Sequence, residues 1–127
     1  MASTDKKVGY SLKGKVPPDL AAAGVEEALR IIEGRWKMLI LFQLFAHGTM
    51  RFSALERAIP AVSQKMLIQQ LRDLERDGVV ARRVYPEVPP KVEYDLTPMG
   101  EALCPALDEL LQWALRRKEE AGATSSL

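Results

Sequence analysis

Ser63-Gln64-Lys65-Met66-Leu67-Ile68-Gln69-Gln70-Leu71-Arg72-Asp73-Leu74-Glu75-Arg76-Asp77-Gly78 is the stretch whose reading decides the fold. It reads as one helix with a start, a stop and two faces. Ser63 suits the N-cap, because its hydroxyl can accept from a free backbone N–H in the first turn. Gly78 suits the stop, because glycine takes the left-handed conformation that closes a helix. Leu67, Leu71 and Leu74 fall at i, i+4 and i+7 and make one apolar stripe. Gln64, Lys65, Ile68, Gln69 and Arg72 lie away from it, and this outer set holds no acid. Amides and cations are what a helix needs to meet base edges and phosphates in a DNA major groove. Taken alone, a solvated surface helix reads the same way, so the flanking sequence has to decide.

Upstream, Met50 to Pro60 contains a short helix. Ser53 with Glu56 fits a capping box, in which each side chain satisfies the other residue's backbone N–H. Phe52, Leu55 and Ile59 are expected to point inward. Pro60-Ala61-Val62 then turns the chain into the Ser63 helix. Short helix, turn and longer helix in that order are a helix-turn-helix. Two more helices precede it. Val25 to Glu33 carries the stripe Val25, Ala28, Leu29 and Ile32. Arg35 to His47 is apolar from Met38 to Phe45 except at Gln43, so it is expected to be buried nearly all round. Trp36 is expected in the core, and His47, before Gly48, at the helix's last carbonyls.

Downstream, the period changes from 3.6 to 2. Val80, Arg82 and Val84 alternate with Ala81, Arg83 and Tyr85. Pro86-Glu87-Val88-Pro89-Pro90 is a stiff loop that cannot sit inside a sheet. Lys91 to Leu96 is a second strand, with Val92, Tyr94 and Leu96 on one face. The two strands and their loop form a hairpin of the kind called a wing. Thr97 caps a last helix with Pro98 in its first turn, where the missing N–H costs nothing. Met99, Leu103, Leu107, Leu110 and Ala114 make one stripe of this helix, and Cys104, Leu111 and Leu115 make a second. One face can dock on the domain. The other, with Trp113 beside it, is more apolar than a monomer of this size requires and is read as a dimer contact.

The bulk numbers agree with one intracellular domain. The chain has 127 residues and is 47% hydrophobic, enough for a real core. Its net charge of +1 means that any basic surface is local. From residue 63 to 91 there are six bases and four acids, so affinity for DNA has to lean on dimerisation and specific contacts. One cysteine, Cys104, allows no intrachain disulfide and no cysteine zinc site. No apolar run approaches the roughly 20 residues that span a bilayer. His47 is the sole histidine, so no triad can be assembled around it. Neither a phosphate-cradling glycine loop nor a metal cluster is present, and the chain is not expected to be an enzyme or to carry a cofactor or metal.

These residues together carry a resemblance. Val25-Glu26-Glu27-Ala28-Leu29, Gly34-Arg35-Trp36-Lys37, Arg51-Phe52, Ser63-Gln64-Lys65-Met66-Leu67 with Gln69-Gln70-Leu71, Leu74-Glu75 with Gly78, Tyr85-Pro86-Glu87-Val88-Pro89-Pro90-Lys91-Val92-Glu93-Tyr94 and Leu96-Thr97-Pro98-Met99-Gly100 resemble the HxlR-type branch of MarR-like winged-helix transcription regulators. The resemblance spans about residues 25 to 115. It implies a homodimeric bacterial or archaeal regulator on a roughly palindromic operator, with dimer contacts from the first and last helices. Three positions depart from the family's pattern. Ala23 and Gly24 stand where relatives often have cysteine and proline, and Ile68 stands where threonine is common.

The expected fold is therefore mainly α with a small β-hairpin (α+β): a winged helix-turn-helix with additional N- and C-terminal dimerisation helices. Residues 1–20 are read as a flexible arm containing Lys6, Lys7, Lys13 and Lys15, residues 21–117 as the domain, and residues 118–127 as a flexible tail. The expected function is sequence-specific DNA binding, with helix 63–78 in the major groove and wing 84–92 on the backbone or minor groove. The alternative is a winged-helix module for protein–protein contact. Gln64, Lys65, Ile68 and Gln69 are the expected base readers. Arg51, Ser53, Arg72 and Lys91 are the expected phosphate contacts, and Arg82 and Arg83 are weaker candidates. Leu29, Leu107, Leu111, Trp113 and Leu115 are assigned to the dimer interface, and Cys104 is a candidate redox switch. Expected partners are double-stranded DNA, a second copy of the chain and an unidentified small-molecule effector, in the cytoplasm and away from membranes.

Overall fold

The structure, a computed structural model, describes residue 9 and residues 12–125. The expected arm residues Lys6 and Lys7 and the last two residues of the expected tail lie outside that range. The chain divides into two units, one ending at Ile32 and the other beginning at Glu33.

The first unit holds a 3₁₀ turn at Lys13–Lys15 and helix α1, Pro18–Ile32. The helix starts at Pro18 rather than at Val25, and so takes in the end of the expected arm. Pro18 brings a φ already suited to a first turn. Asp19 complements the positive helix end. The three alanines that follow favour helix without producing an apolar stripe. Glu27 and Arg30 form an ion pair on the surface of α1. Leu29 is 45% exposed.

The second unit runs α2 (Arg35–His47), β1 (Met50–Arg51), α3 (Phe52–Ala58), α4 (Gln64–Arg76), β2 (Val80–Tyr85), β3 (Lys91–Leu96) and α5 (Pro98–Ser125). Its core draws on each of these helices and on the sheet. Ile40, Leu41 and Leu44 come from α2, Leu55 from α3, and Leu67, Leu71 and Leu74 from α4. Ile59, Val79, Val80, Tyr94 and Leu107 complete it. Each large side chain taken fully out of water contributes about 1.5–3 kcal/mol. Helix α2 departs from the expectation of burial all round: Leu39 and Phe42 stay partly exposed, and Trp36 is half-buried under the Arg35 guanidinium, 4.7 Å from the ring centre.

The hairpin forms as expected, with Val80 opposite Leu96, Arg82 opposite Tyr94 and Val84 opposite Val92. A third strand joins it. Met50 and Arg51 pair antiparallel with Tyr94 and Glu93, giving the order β1-β3-β2. This strand overturns the expected capping box. Because Met50 and Arg51 are held in the sheet, α3 begins at Phe52 with Arg51 as its N-cap, and no side chain caps it. Ser53 therefore lies inside the first turn, out of register with Glu56 for the reciprocal bonds.

The ends of α4 match the expectation. The Ser63 hydroxyl accepts from the Met66 N–H at 3.1 Å. Gly78 takes φ 77°, and its N–H and that of Val79 return to the carbonyls of Glu75 and Leu74. Thr97 caps α5, accepting from the Gly100 N–H at 3.0 Å. Helix α5 continues past residue 117, through Pro105, to Ser125. Proline lacks the N–H that would meet the Glu101 carbonyl, so the ladder is interrupted there.

Candidate nucleic-acid interface

The outer surface of α4 has three sectors, fixed by the 100° that each residue turns the helix. Leu67, Leu71 and Leu74 face the core. Lys65, Gln69 and Arg76 form the crest. Ile68, Arg72 and Glu75 lie on the flank toward the hairpin, and Asp73 lies on the opposite flank, toward α2.

The hairpin flank opens into a groove of ≈ 590 Å³. Arg51 and Ser53 reach it from the start of α3, Ile68 and Arg72 from α4, and Lys91 from β3. All four expected phosphate contacts and one expected base reader thus share one concave surface. The groove is also lined by Arg82, a weaker phosphate candidate, and by Phe52, Glu75, Pro90, Val92 and Tyr94, which are not among the expected site residues. The spacing held a signal for Glu75, since Ile68, Arg72 and Glu75 stand at i, i+4 and i+7.

The charges in this groove are unequally available. Arg82 pairs with Glu75 at 3.5 Å; Arg83, which does not line the groove, pairs with Asp95 at 2.9 Å. Lys91 sits 3.4 Å from Glu93 and 4.5 Å from the centre of the Tyr85 ring, so the wing already engages part of its charge. Among the described residues, Arg51 and Arg72 pair with no carboxylate, and both are exposed. Tyr94 forms the floor. Burial pushes its hydroxyl above the usual tyrosine value; Arg82 pulls it back, Glu75 adds to the rise, and Arg72 reduces it.

The other expected base readers, Gln64, Lys65 and Gln69, are exposed on α4 outside the groove. Gln69 donates from Nε2 to Asp73 Oδ1 at 3.1 Å. Beyond the groove, Leu111, Trp113 and Leu115 on α5 are 42%, 63% and 50% exposed, whereas Leu107 is buried within the chain at 3%. Leu107 therefore offers no free surface of its own. Cys104 is half-buried and lines a small hollow of ≈ 270 Å³ with Leu44, Phe45, Asp95 and Leu96. Among the described residues, no group of three or more His, Cys, Asp or Glu could hold a metal ion. No helix of theirs is long and apolar enough to cross a membrane.

Comparison with known proteins agrees with this geometry. The HxlR-like helix-turn-helix family matches residues 31–121. The HTH-type transcriptional regulator YkvN of Bacillus subtilis is 51% identical over 92 residues, covering 72% of this chain and 77% of that protein. A crystal structure of a transcriptional regulator of the MarR family from Enterococcus faecalis superposes with a TM-score of 0.75 at 38% identity, covering 80% of this chain and 92% of that one. The redox regulator HypR in its reduced form superposes at 0.71 with 39% identity, covering 79% and 98%.

Proposed function

The chain belongs to the HxlR-like helix-turn-helix family of transcriptional regulators, and on that premise we propose that it acts as a homodimer on a roughly palindromic operator. Helix α4 enters the major groove, and the wing lies on the backbone or in the minor groove. The observation that carries this reading is the shared groove: Arg51, Ser53, Arg72 and Lys91 stand around Ile68, so cations for phosphates flank a side chain for base edges. Gln64, Lys65, Ile68 and Gln69 are the base readers. A glutamine can pair with adenine, a lysine can donate to guanine, and Ile68 can touch a thymine methyl. The protein works in the cytoplasm, where the operator is. A protein-binding module fits less well, because such a face needs an apolar anchor cluster, and Ile68 is half-buried.

Binding to duplex DNA from the region upstream of the protein's own gene, measured across a salt series, tests the reading. Phosphate contacts release counterions, so affinity falls steeply as salt rises. Retention that ignored salt, or no retention at all, would count against it. The dimer rests on the exposed α5 residues Leu111, Trp113 and Leu115, with Leu29 on α1. Trp113→Asp is expected to sediment as a monomer and to lose operator affinity. A Trp113→Asp protein that still sediments as a dimer places the interface elsewhere. A redox response of the kind recorded in the name of HypR would here have to run through Cys104, the chain's only cysteine. A small-molecule effector would act by changing how the two α4 helices are presented.

A further inference from the structure

Asp73 is a junction. Its Oδ1 accepts from Gln69 Nε2 and from Arg76 Nη1, each at 3.1 Å, and its Oδ2 faces Lys37 Nζ of α2 at 3.6 Å. The Asp73 and Lys37 side chains are 18% and 12% exposed. The carboxylate is therefore held from two helices, on the flank of α4 away from the wing. Gln69 stands on the crest beside it and is exposed.

An ionised carboxylate only accepts hydrogen bonds, so the amide that meets it must turn its nitrogen toward it. Turning the amide over would set oxygen against oxygen. Gln69 consequently has a fixed polarity, with Oε1 at the open end. We propose that Asp73 is a positioning residue for base reading: it holds the Gln69 amide so that Oε1 faces the major groove, accepts from the amino group of adenine and so selects an A·T pair. This rests on the reading of α4 as the helix that enters the groove. Adenine N6 and cytosine N4 are the amino donors of the major groove, whereas guanine O6 and thymine O4 are acceptors and would oppose Oε1. The second amide hydrogen remains available for adenine N7, a second contact that cytosine lacks, which favours an A·T pair over G·C. Pre-setting the amide also removes part of the ordering cost at binding.

Selection from a randomised duplex library tests this, run in parallel with the wild type, Gln69→Ala, Asp73→Ala and Asp73→Asn. Melting temperature and affinity for random-sequence duplex are measured on each. Gln69→Ala identifies the base position that Gln69 reads. At that base pair the wild type is expected to enrich A·T over G·C. Asp73→Ala is expected to lose roughly five-fold or more of the preference there, the worth of one hydrogen bond, and to keep it elsewhere. Asp73→Asn retains an acceptor oxygen and is expected to keep more of the preference than Asp73→Ala. A purely structural role would lower the melting temperature and weaken all positions together. A G·C pair enriched at the Gln69 position overturns the proposal, as does full preference in Asp73→Ala. If the wild type enriches no site over random duplex, the reading beneath it fails as well, a different result from enriched sites that ignore Asp73.

Discussion

The hydroxyl of Thr97 lies 2.6 Å from the Gly78 carbonyl oxygen and donates to it. The Thr97 hydroxyl oxygen in turn accepts from the Gly100 N–H, and the Thr97 N–H donates to Val79 O at 3.1 Å. One residue thus ties the end of the α4 segment to the start of α5. Thr97→Val keeps the shape and removes the hydroxyl, leaving the Gly78 carbonyl and the Gly100 amide without that partner. We expect a loss of about 1–3 kcal/mol in urea unfolding at neutral pH. An unchanged midpoint and slope would show that water replaces the hydroxyl at no cost.

Gly100 is required by space. A Cβ there would stand 2.1 Å from the Val79 carbonyl oxygen and 3.2 Å from Leu96 Cδ2. Backbone cannot swing aside as the tip of a flexible side chain can, so Gly100→Ala must push the first turn of α5 off the start of β2. Overpacking of this kind costs typically about 1–3 kcal/mol, and we expect at least that. Gly24, inside α1, meets nothing within 4 Å. Gly24→Ala is expected to stabilise by roughly 0.5–1 kcal/mol through helix propensity. Thermal melts of the two variants should move in opposite directions.

Phosphate and base contacts should separate by salt. Arg72→Ala is expected to weaken operator and random duplex alike and to reduce the salt slope by about one. Gln64→Ala is expected to cost ~1–3 kcal/mol on the operator and little on random duplex. Anisotropy titrations with both DNAs at several salt concentrations distinguish the two patterns. Equal losses for Gln64→Ala on both DNAs would remove it from the base readers.

Tyr94 gives an alkaline signature. Its hydroxyl is raised above the ordinary value of 10.0, chiefly by burial. The folded state therefore holds this proton more tightly than the unfolded chain. That stability is fully present below the unfolded value and is lost as pH rises through the folded one. Ultraviolet titration should show a tyrosine step above the free-tyrosine range that disappears in Tyr94→Phe. Urea unfolding of the wild type should weaken more than that of Tyr94→Phe as pH climbs past 10.0.

The features legible in the sequence were those whose cause is local. Ser63 and Thr97 cap their helices through a neighbour three residues on, and Gly78 supplies its own conformation. The alternation in residues 80–85 and 91–96 is a property of each strand. What escaped depends on distant partners. Met50–Arg51 has no period to detect in two residues, and its pairing with Tyr94 and Glu93 crosses the whole helix-turn-helix. That same pairing displaced the start of α3, so a plausible Ser53–Glu56 signal pointed to the wrong register. At the site, the cations were legible by type, but their neutralisation by Glu75, Glu93 and Asp95 was not, because those contacts depend on how the strands and α4 meet.

The two-residue strand β1 also sets a gauge. Arg51 is hydrogen-bonded through its backbone to the strand that carries Lys91, so the cation ahead of α3 and the cation at the base of the wing share one rigid frame. The jaw between them keeps its width however the Pro86–Pro90 tip is cut or lengthened. Loop grafts there should alter what the wing touches at its far end while leaving the distance between these two anchors as it is.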